Sequence, residues 1–102
     1  MQVLVQHQEF NSDTGEVVGF TDVANVNAFP YDLNKALEYA WRYTNNVMGS
    51  WSKKIGEDAN DDVEVLYQRK DGMGLRSSMV GDHFIVDGKT YKVAFAGFEE
   101  VK

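Results

Sequence analysis

Hydrophobic and polar positions in the first quarter of the chain predict two strands. Val3 to Phe10 begins apolar and becomes mixed, and Glu16 to Val23 is rich in valine and phenylalanine. The residues between them, 11–15, are all turn formers. We therefore expect a β-hairpin over residues 3–23, followed by an irregular stretch from Asn25 to Tyr31.

The next segment has the periodicity of an amphipathic helix. From Leu33 to Met48, apolar residues recur at spacings of three and four, which places them on one helical face. Asp32 stands where an N-cap accepts hydrogen bonds from first-turn amides, and Gly49 stands where a C-cap is expected. We predict a helix that begins after Asp32 and ends near Gly49.

The second half of the chain predicts three strands, two of them joined by a hairpin turn. In Val63 to Gln68, Tyr67 alternates in phase with the valines, so we expect its ring to face the core. His83 to Val86 and Lys89 to Val93 flank Asp87-Gly88. That dipeptide favours a tight hairpin because both of its residues accept positive φ.

The last residues predict one more strand. We expect a short strand that includes Phe95, Phe98 and Val101, and Phe95 continues the core-facing series of Tyr91 and Val93. The element order along the chain is therefore β-β-α-β-β-β. It predicts an α+β fold, an antiparallel sheet with one amphipathic helix packed on one face, in a single domain of residues 1–102.

Composition narrows the classes of function. The 102 residues include 16 acidic and 10 basic side chains and no cysteine, and the formal net charge is −6. This balance opposes non-specific attraction to nucleic acid or to anionic membranes. No apolar run approaches the ~20 residues of a membrane helix, and the first residues lack the pattern of a signal peptide. We expect a cytoplasmic protein with no membrane partner.

The residues that usually carry catalysis or bind metals are sparse. Ser77 and Ser78 precede His83, but no acidic residue is identifiable that would orient this histidine, so we interpret the serines as turn-capping residues and predict no catalytic residue. Segment 58–64 opens like a calcium loop, yet Val63 and Arg69 occupy the positions where that loop needs glycine and glutamate. We predict neither a metal site nor a cofactor.

Two sets of residues are candidates for binding. The acidic segment is either a solvated loop or a contact for a basic partner, and aromatic residues near the helix add to that surface. The partner-binding set is Glu57, Asp58, Asp61, Asp62, Glu64, Tyr39, Tyr43, Trp51 and Arg76. The alternative is a small nucleic-acid-binding module, in which an aromatic ring lies beside basic side chains. Its residues are Tyr67, Arg69, Lys70 and Arg76.

The C-terminal third carries a recognisable series of residues. It reads Leu75-Arg76-Ser77-Ser78-Met79-Val80-Gly81-Asp82, then Asp87-Gly88-Lys89-Thr90-Tyr91-Lys92-Val93, then Gly97-Phe98. This series resembles a signature of small phage and mobile-element proteins, some called YodL-like: Arg-Ser-x-Ser-Val-Gly-Asp, a strand, Gly-x-x-Tyr-x-Val and Gly-Phe. The chain departs from it at Met79, where serine or threonine is usual. The resemblance implies an accessory product of a phage.

These observations together favour a function in binding. We expect a non-catalytic phage-type accessory protein that binds a host protein and inhibits it. Its acidic surface suggests a partner with a basic groove, such as a nucleic-acid-handling or defence enzyme. Direct binding of nucleic acid is the alternative.

Overall fold

A computed structural model describes residues 1–102 and contains six strands, one α-helix and one short 3₁₀-helix. The elements are β1 (Gln2–Phe10), β2 (Val17–Asn27), α1 (Leu33–Tyr43), the 3₁₀-helix (Gly56–Asp58), β3 (Val63–Val65), β4 (His83–Val86), β5 (Lys89–Ala94) and β6 (Gly97–Glu100). All six strands form one antiparallel sheet in the order β3-β2-β1-β4-β5-β6. The predicted α+β class and element order are confirmed.

Both predicted hairpins are present. The β1–β2 pair runs from Gln2 opposite Asn27 to Phe10 opposite Val17. At the β4–β5 turn, Asp87 and Gly88 have φ values of 50° and 77°, the positive values that this dipeptide tolerates. The expectation of an irregular stretch from Asn25 is wrong at its start. Strand β2 continues to Asn27 because its last residues pair with β1 on one side and with β3 on the other.

The core lies between α1 and one face of the sheet. Val3 and Val5 of β1, Phe84 of β4 and Val93 of β5 are buried, and the helix contributes Leu37. Alternate residues of each strand point to opposite faces, so one face of the sheet supplies all the strand residues of this core. Phe95 does not join them and is 97% exposed. The prediction that it faces the core is wrong, because β5 ends at Ala94 and Phe95 lies in the turn to β6.

The helix begins where the sequence predicts and ends earlier. The Asp32 side chain caps it by accepting a hydrogen bond from the Lys35 amide at 3.1 Å. The last helical residue is Tyr43, and Thr44 is the C-cap, so the predicted extension to Met48 is wrong. None of the helices is both long and apolar enough to cross a membrane.

Strand β3 is also shorter than predicted. It ends at Val65 instead of Gln68, and Tyr67 lies in the following loop with its side chain exposed. The prediction that the Tyr67 ring faces the core is therefore wrong. The alternation that suggested it applies only while the chain stays in the strand.

Candidate functional site

A chain of buried hydrogen bonds links β1, the end of α1 and the signature segment. His7 Nε2 lies 3.0 Å from Ser78 Oγ, and Ser78 Oγ lies 2.7 Å from Thr44 Oγ1. Thr44 Oγ1 donates to the Ala40 carbonyl oxygen at 2.7 Å. His7, Ser78 and Thr44 are all buried. They fasten the segment around Ser78 to both the helix and the sheet.

Proton counting fixes the direction of every bond in this chain. The Ala40 carbonyl oxygen can only accept a hydrogen bond, so the Thr44 hydroxyl must be the donor in the bond between them. Thr44 must then accept the Ser78 hydroxyl proton, and Ser78 must accept a proton from His7 Nε2. His7 therefore carries its proton on Nε2, and Nδ1 bears a free lone pair. Burial lowers the pKa of His7 to about 4, so the ring is neutral at pH 7.

A partly buried ion pair lies beside these hydrogen bonds, with Asp82 buried and Arg76 partly exposed. Arg76 donates from two nitrogens to the Asp82 carboxylate at 2.8 and 2.9 Å. Asp82 also accepts from the Met79 amide at 2.7 Å and from the Gln8 amide at 2.9 Å. Burial alone would raise the pKa of Asp82, but these donors outweigh it and hold the pKa below its usual value. The arginine and the aspartate of the signature are thus each other's partners.

The remaining signature residues are placed by the same packing. Ser77 Oγ accepts from the Asn46 amide at 2.8 Å, a contact across 31 residues of sequence that differs from the local turn cap predicted for it. Gly81 has φ of 95°, and a Cβ there would lie 2.7 Å from the Gln8 side chain. Only glycine combines that backbone conformation with that close approach.

Ser78, His7 and Asp82 do not form a nucleophilic triad, although all three residue types are present. Asp82 Oδ2 lies 3.8 Å from His7 Nε2, the same nitrogen that bonds Ser78. In a triad the carboxylate holds the opposite ring nitrogen, and the histidine accepts the serine proton. Here the histidine donates a hydrogen bond to Ser78, and the Ser78 hydroxyl donates its own hydrogen bond to Thr44.

A second buried carboxylate is Asp58, which the sequence analysis placed in the partner-binding set, in a segment expected to be exposed to solvent or to a basic partner. That expectation is wrong for this residue. Its oxygens accept from the Val47 and Met48 amides, both at 2.9 Å, and from Arg42 at 3.1 Å. Burial opposes ionisation, yet the amides and Arg42 lower the pKa of Asp58 below its usual value. Asp58 organises the loop after α1 and offers no atom to a partner.

Trp51 was predicted to contact a partner, and the structure buries it completely. Its indole Nε1 donates to the Arg76 carbonyl oxygen at 2.9 Å, and its ring meets His7 edge to face at 6.1 Å. Arg76 is engaged by Asp82 and the Gln8 carbonyl oxygen.

The rest of the predicted partner-binding set divides between two faces of the molecule. Tyr39 donates its hydroxyl to Asp62 at 2.5 Å, and its ring lies 5.3 Å from Tyr31 and 5.0 Å from Tyr43. Asp61 is exposed beside Asp62. We call these five residues, Tyr31, Tyr39, Tyr43, Asp61 and Asp62, the tyrosine–acid surface.

Two acidic residues of the predicted set fall outside this surface. Glu57 is exposed in the 3₁₀-helix. Glu64 is exposed in β3 between Val63, which is buried, and Val65, which is partly buried. Because side chains alternate along a strand, Glu64 points to the face of the sheet opposite α1.

A cleft of about 240 Å³ opens beside the buried histidine, and we call it the histidine cleft. Its walls include His7, Thr21, Tyr67, Arg69 and Arg76. Three of the four residues of the predicted nucleic-acid-binding set are therefore together, and Lys70 is exposed next to Arg69. A neighbouring cavity of about 310 Å³ shares Tyr67 and Arg69 with it.

His7 is the functional candidate that the sequence interpretation missed. It lies in phase with Val3 and Val5 on β1, a position that predicts an inward-facing side chain. Its partners Thr44 and Ser78 are distant in sequence, so no local sequence motif indicates that the three residues come together.

No protein-family model matches this chain, and the searches of curated proteins and of solved structures likewise find no match.

Proposed function

We propose that this chain is a non-catalytic accessory protein of the phage type, which acts in the host cytoplasm by binding and inhibiting a host protein. The contact between Tyr39 and Asp62 carries the proposal, because it joins three tyrosine rings and an acidic loop into one surface. Tyrosine supplies large contact area at low entropic cost, and it is enriched where binding energy concentrates.

Electrostatics favour a basic partner for this surface. The protein carries a formal charge of −6, and Asp61 and Asp62 lie beside the tyrosine rings. An exposed acidic rim accelerates encounter with a positive surface and disfavours acidic partners. A nucleic-acid-handling or defence enzyme, whose groove must attract phosphate, is the sharpest candidate.

The non-catalytic part of the proposal rests on the buried polar groups. The Ser78 hydroxyl donates its hydrogen bond to Thr44, and the Arg76–Asp82 pair is saturated with protein partners. Groups held in this way stabilise the fold, and they leave no activated nucleophile at Ser78.

The experiment is affinity capture from bacterial lysate with the wild-type protein and a charge variant. Asp61→Asn combined with Asp62→Asn removes two charges and keeps an oxygen for the Tyr39 hydroxyl. We expect the variant to capture several-fold less of the wild-type partner, and we expect added salt to weaken wild-type capture. The partner should then be purified, and its activity measured with and without the protein.

The control removes the same charge elsewhere. Asp13→Asn combined with Glu16→Gln alters the exposed β1–β2 loop, where neither side chain makes an ion pair. Equal loss in both variants would show a general charge effect and would remove the tyrosine–acid surface from the proposal. Capture that neither variant nor salt changes would contradict it altogether.

A further inference from the structure

His7 presents an unused lone pair at the histidine cleft. Its side chain is only 6% exposed, and Nε2 is committed to Ser78. Nδ1 has no hydrogen-bond partner, yet no buried side-chain nitrogen or oxygen is both sealed from solvent and unpaired. Nδ1 is therefore accessible, and the cleft is the cavity that His7 lines. A neutral imidazole lone pair in this position accepts a hydrogen bond from a ligand N–H or O–H.

The walls of the cleft add an aromatic ring, two cations and one carboxylate, that of Glu9, which accepts a hydrogen bond from Thr21. Tyr67 is exposed and lines both this cleft and the neighbouring cavity. Arg69 pairs with Asp71 through one terminal nitrogen, which leaves its other N–H groups free. The terminal nitrogens of Arg76 are taken up by Asp82, Ser77 and Gln8, so Arg69 is the cation available to a ligand.

We propose that the histidine cleft binds a nucleotide, with a base N–H donated to His7 Nδ1, the base stacked on Tyr67 and the phosphate beside Arg69. A volume of 240 Å³ corresponds to about eight waters at ~30 Å³ each, which suits one planar ring system. The nucleotide is either free or part of a single strand, since both present the same base and phosphate. This proposal is independent of the tyrosine–acid surface.

Other ligands fit these walls less well. A metal ion would find only one imidazole and the Glu9 carboxylate, which already accepts a hydrogen bond from Thr21, and both guanidinium groups would repel it. An uncharged peptide would leave Arg69 without an anionic partner. A base with its phosphate uses the lone pair, the ring and the cation together.

The test is nuclear magnetic resonance of the two histidine rings, which reports protonation of each ring nitrogen directly. Wild-type protein is titrated at pH 7 with AMP, CMP, GMP and UMP up to about 1 mM, and with single strands of about eight nucleotides. In the free protein we expect His7 Nδ1 to resonate as an unprotonated nitrogen. At least one nucleotide or strand should shift that signal while the His83 signals stay in place.

Variants at the rim keep the test independent of folding, because the side chains concerned are exposed. Tyr67→Ala should weaken binding by about 5- to 100-fold, the range measured for loss of one base stack. Arg69→Gln should weaken it and flatten its salt dependence. Phe95→Ala and Lys35→Gln are the matched controls, because both side chains are exposed outside the two proposed surfaces, and these variants should bind like the wild type.

The outcomes distinguish a free nucleotide from single-stranded nucleic acid as the ligand. They also distinguish failure of this proposal from failure of the proposed function. Response to free nucleotides indicates a mononucleotide site, and response to strands alone indicates single-stranded nucleic acid; both support the cleft. The proposal is overturned if no probe shifts His7 Nδ1, or if Tyr67→Ala binds as tightly as Phe95→Ala. Capture of a protein partner through Asp61 and Asp62 would be untouched by that failure.

Discussion

At the scale of single residues, the structure places a histidine where it must stay neutral. His7 is enclosed by Trp51, Ser78 and the Arg76–Asp82 pair, and each of its neighbours has a fixed role. Asp82 favours a charged imidazole and Arg76 opposes it, but burial is the largest influence and lowers the pKa to about 4. The His7 imidazole of the folded protein therefore stays unprotonated in mild acid, whereas in the unfolded chain it binds a proton near pH 6.5.

This difference predicts a loss of stability in mild acid. Between pH 6.5 and pH 4 the unfolded state binds a proton at His7 that the folded state does not, so the free energy of unfolding falls as pH falls. The loss from His7 is about 3 kcal/mol by pH 4, at 1.36 kcal/mol for each unit of pKa difference. Urea unfolding followed by Trp fluorescence across this range measures it.

Two histidine variants test whether His7 causes this loss of stability in mild acid. His7→Gln should flatten most of the slope between pH 6.5 and pH 4, whatever its stability at pH 7. His83→Gln should keep most of it, because His83 is more exposed than His7 even though burial also lowers its pKa. A slope that survives His7→Gln would contradict the assignment. The lowered pKa of Asp82 also makes the free energy of unfolding fall as the pH falls. This occurs at lower pH, between the pKa of the carboxyl group in the unfolded chain and its lowered pKa in the folded protein.

At the scale of elements, the end of α1 is decided by side chains that compete with the helix. Thr44 turns its hydroxyl back to the Ala40 carbonyl oxygen, and Asn45 bonds the Trp41 carbonyl oxygen. The next free amides, Val47 and Met48, are bound by Asp58. Apolar periodicity continues past Tyr43, but the hydrogen bonds that would extend the helix have other partners.

Asp58 therefore controls the order of the loop between α1 and the 3₁₀-helix. In Asp58→Ala, the Val47 and Met48 amides lose their acceptor, and we expect their hydrogen exchange to accelerate by about tenfold or more. The amides paired between β1 and β2 should change much less. Asp61→Ala is the control, because Asp61 is exposed and should leave both amides protected. Equal exchange in the two variants would show that Asp58 does not hold this loop.

The elements that sequence predicted well are those specified by local chemistry. The Asp32 cap, the Asp87-Gly88 turn and the strands beside it depend on neighbours within a few residues. The errors at Tyr67 and at the end of α1 share another cause. There the deciding partners lie in distant segments, as Asp58 does for Val47, and periodicity carries no information about them. The contribution of His7 to the histidine cleft was not predicted for the same reason, although Tyr67, Arg69 and Arg76 were already grouped in one candidate nucleic-acid-binding set.

At the scale of the whole molecule, a single helix covers one face of a six-stranded sheet. The opposite face carries Leu4 and Ile85, which lie opposite each other on β1 and β4, and a stacked pair of rings. That pair is Phe20 and His83, with centroids 4.0 Å apart. Apolar residues thus occur both inside and outside the fold. Hydrophobicity alone does not tell the two classes apart, and alternation does so only within a strand.

Two phenylalanine variants can measure this difference between buried and exposed apolar residues. Phe84 of β4 is fully buried, whereas Phe95 protrudes from the β5–β6 turn. Phe84→Ala should lower the free energy of unfolding by about 3–5 kcal/mol, because it removes core contacts and leaves a cavity. Phe95→Ala should change it by no more than about 0.5 kcal/mol, as is usual for exposed positions. Urea unfolding at pH 7 gives both values. A large cost at Phe95 would mean that its ring is covered in solution, by another part of the chain or by a second copy, and the single-faced core described above would need revision.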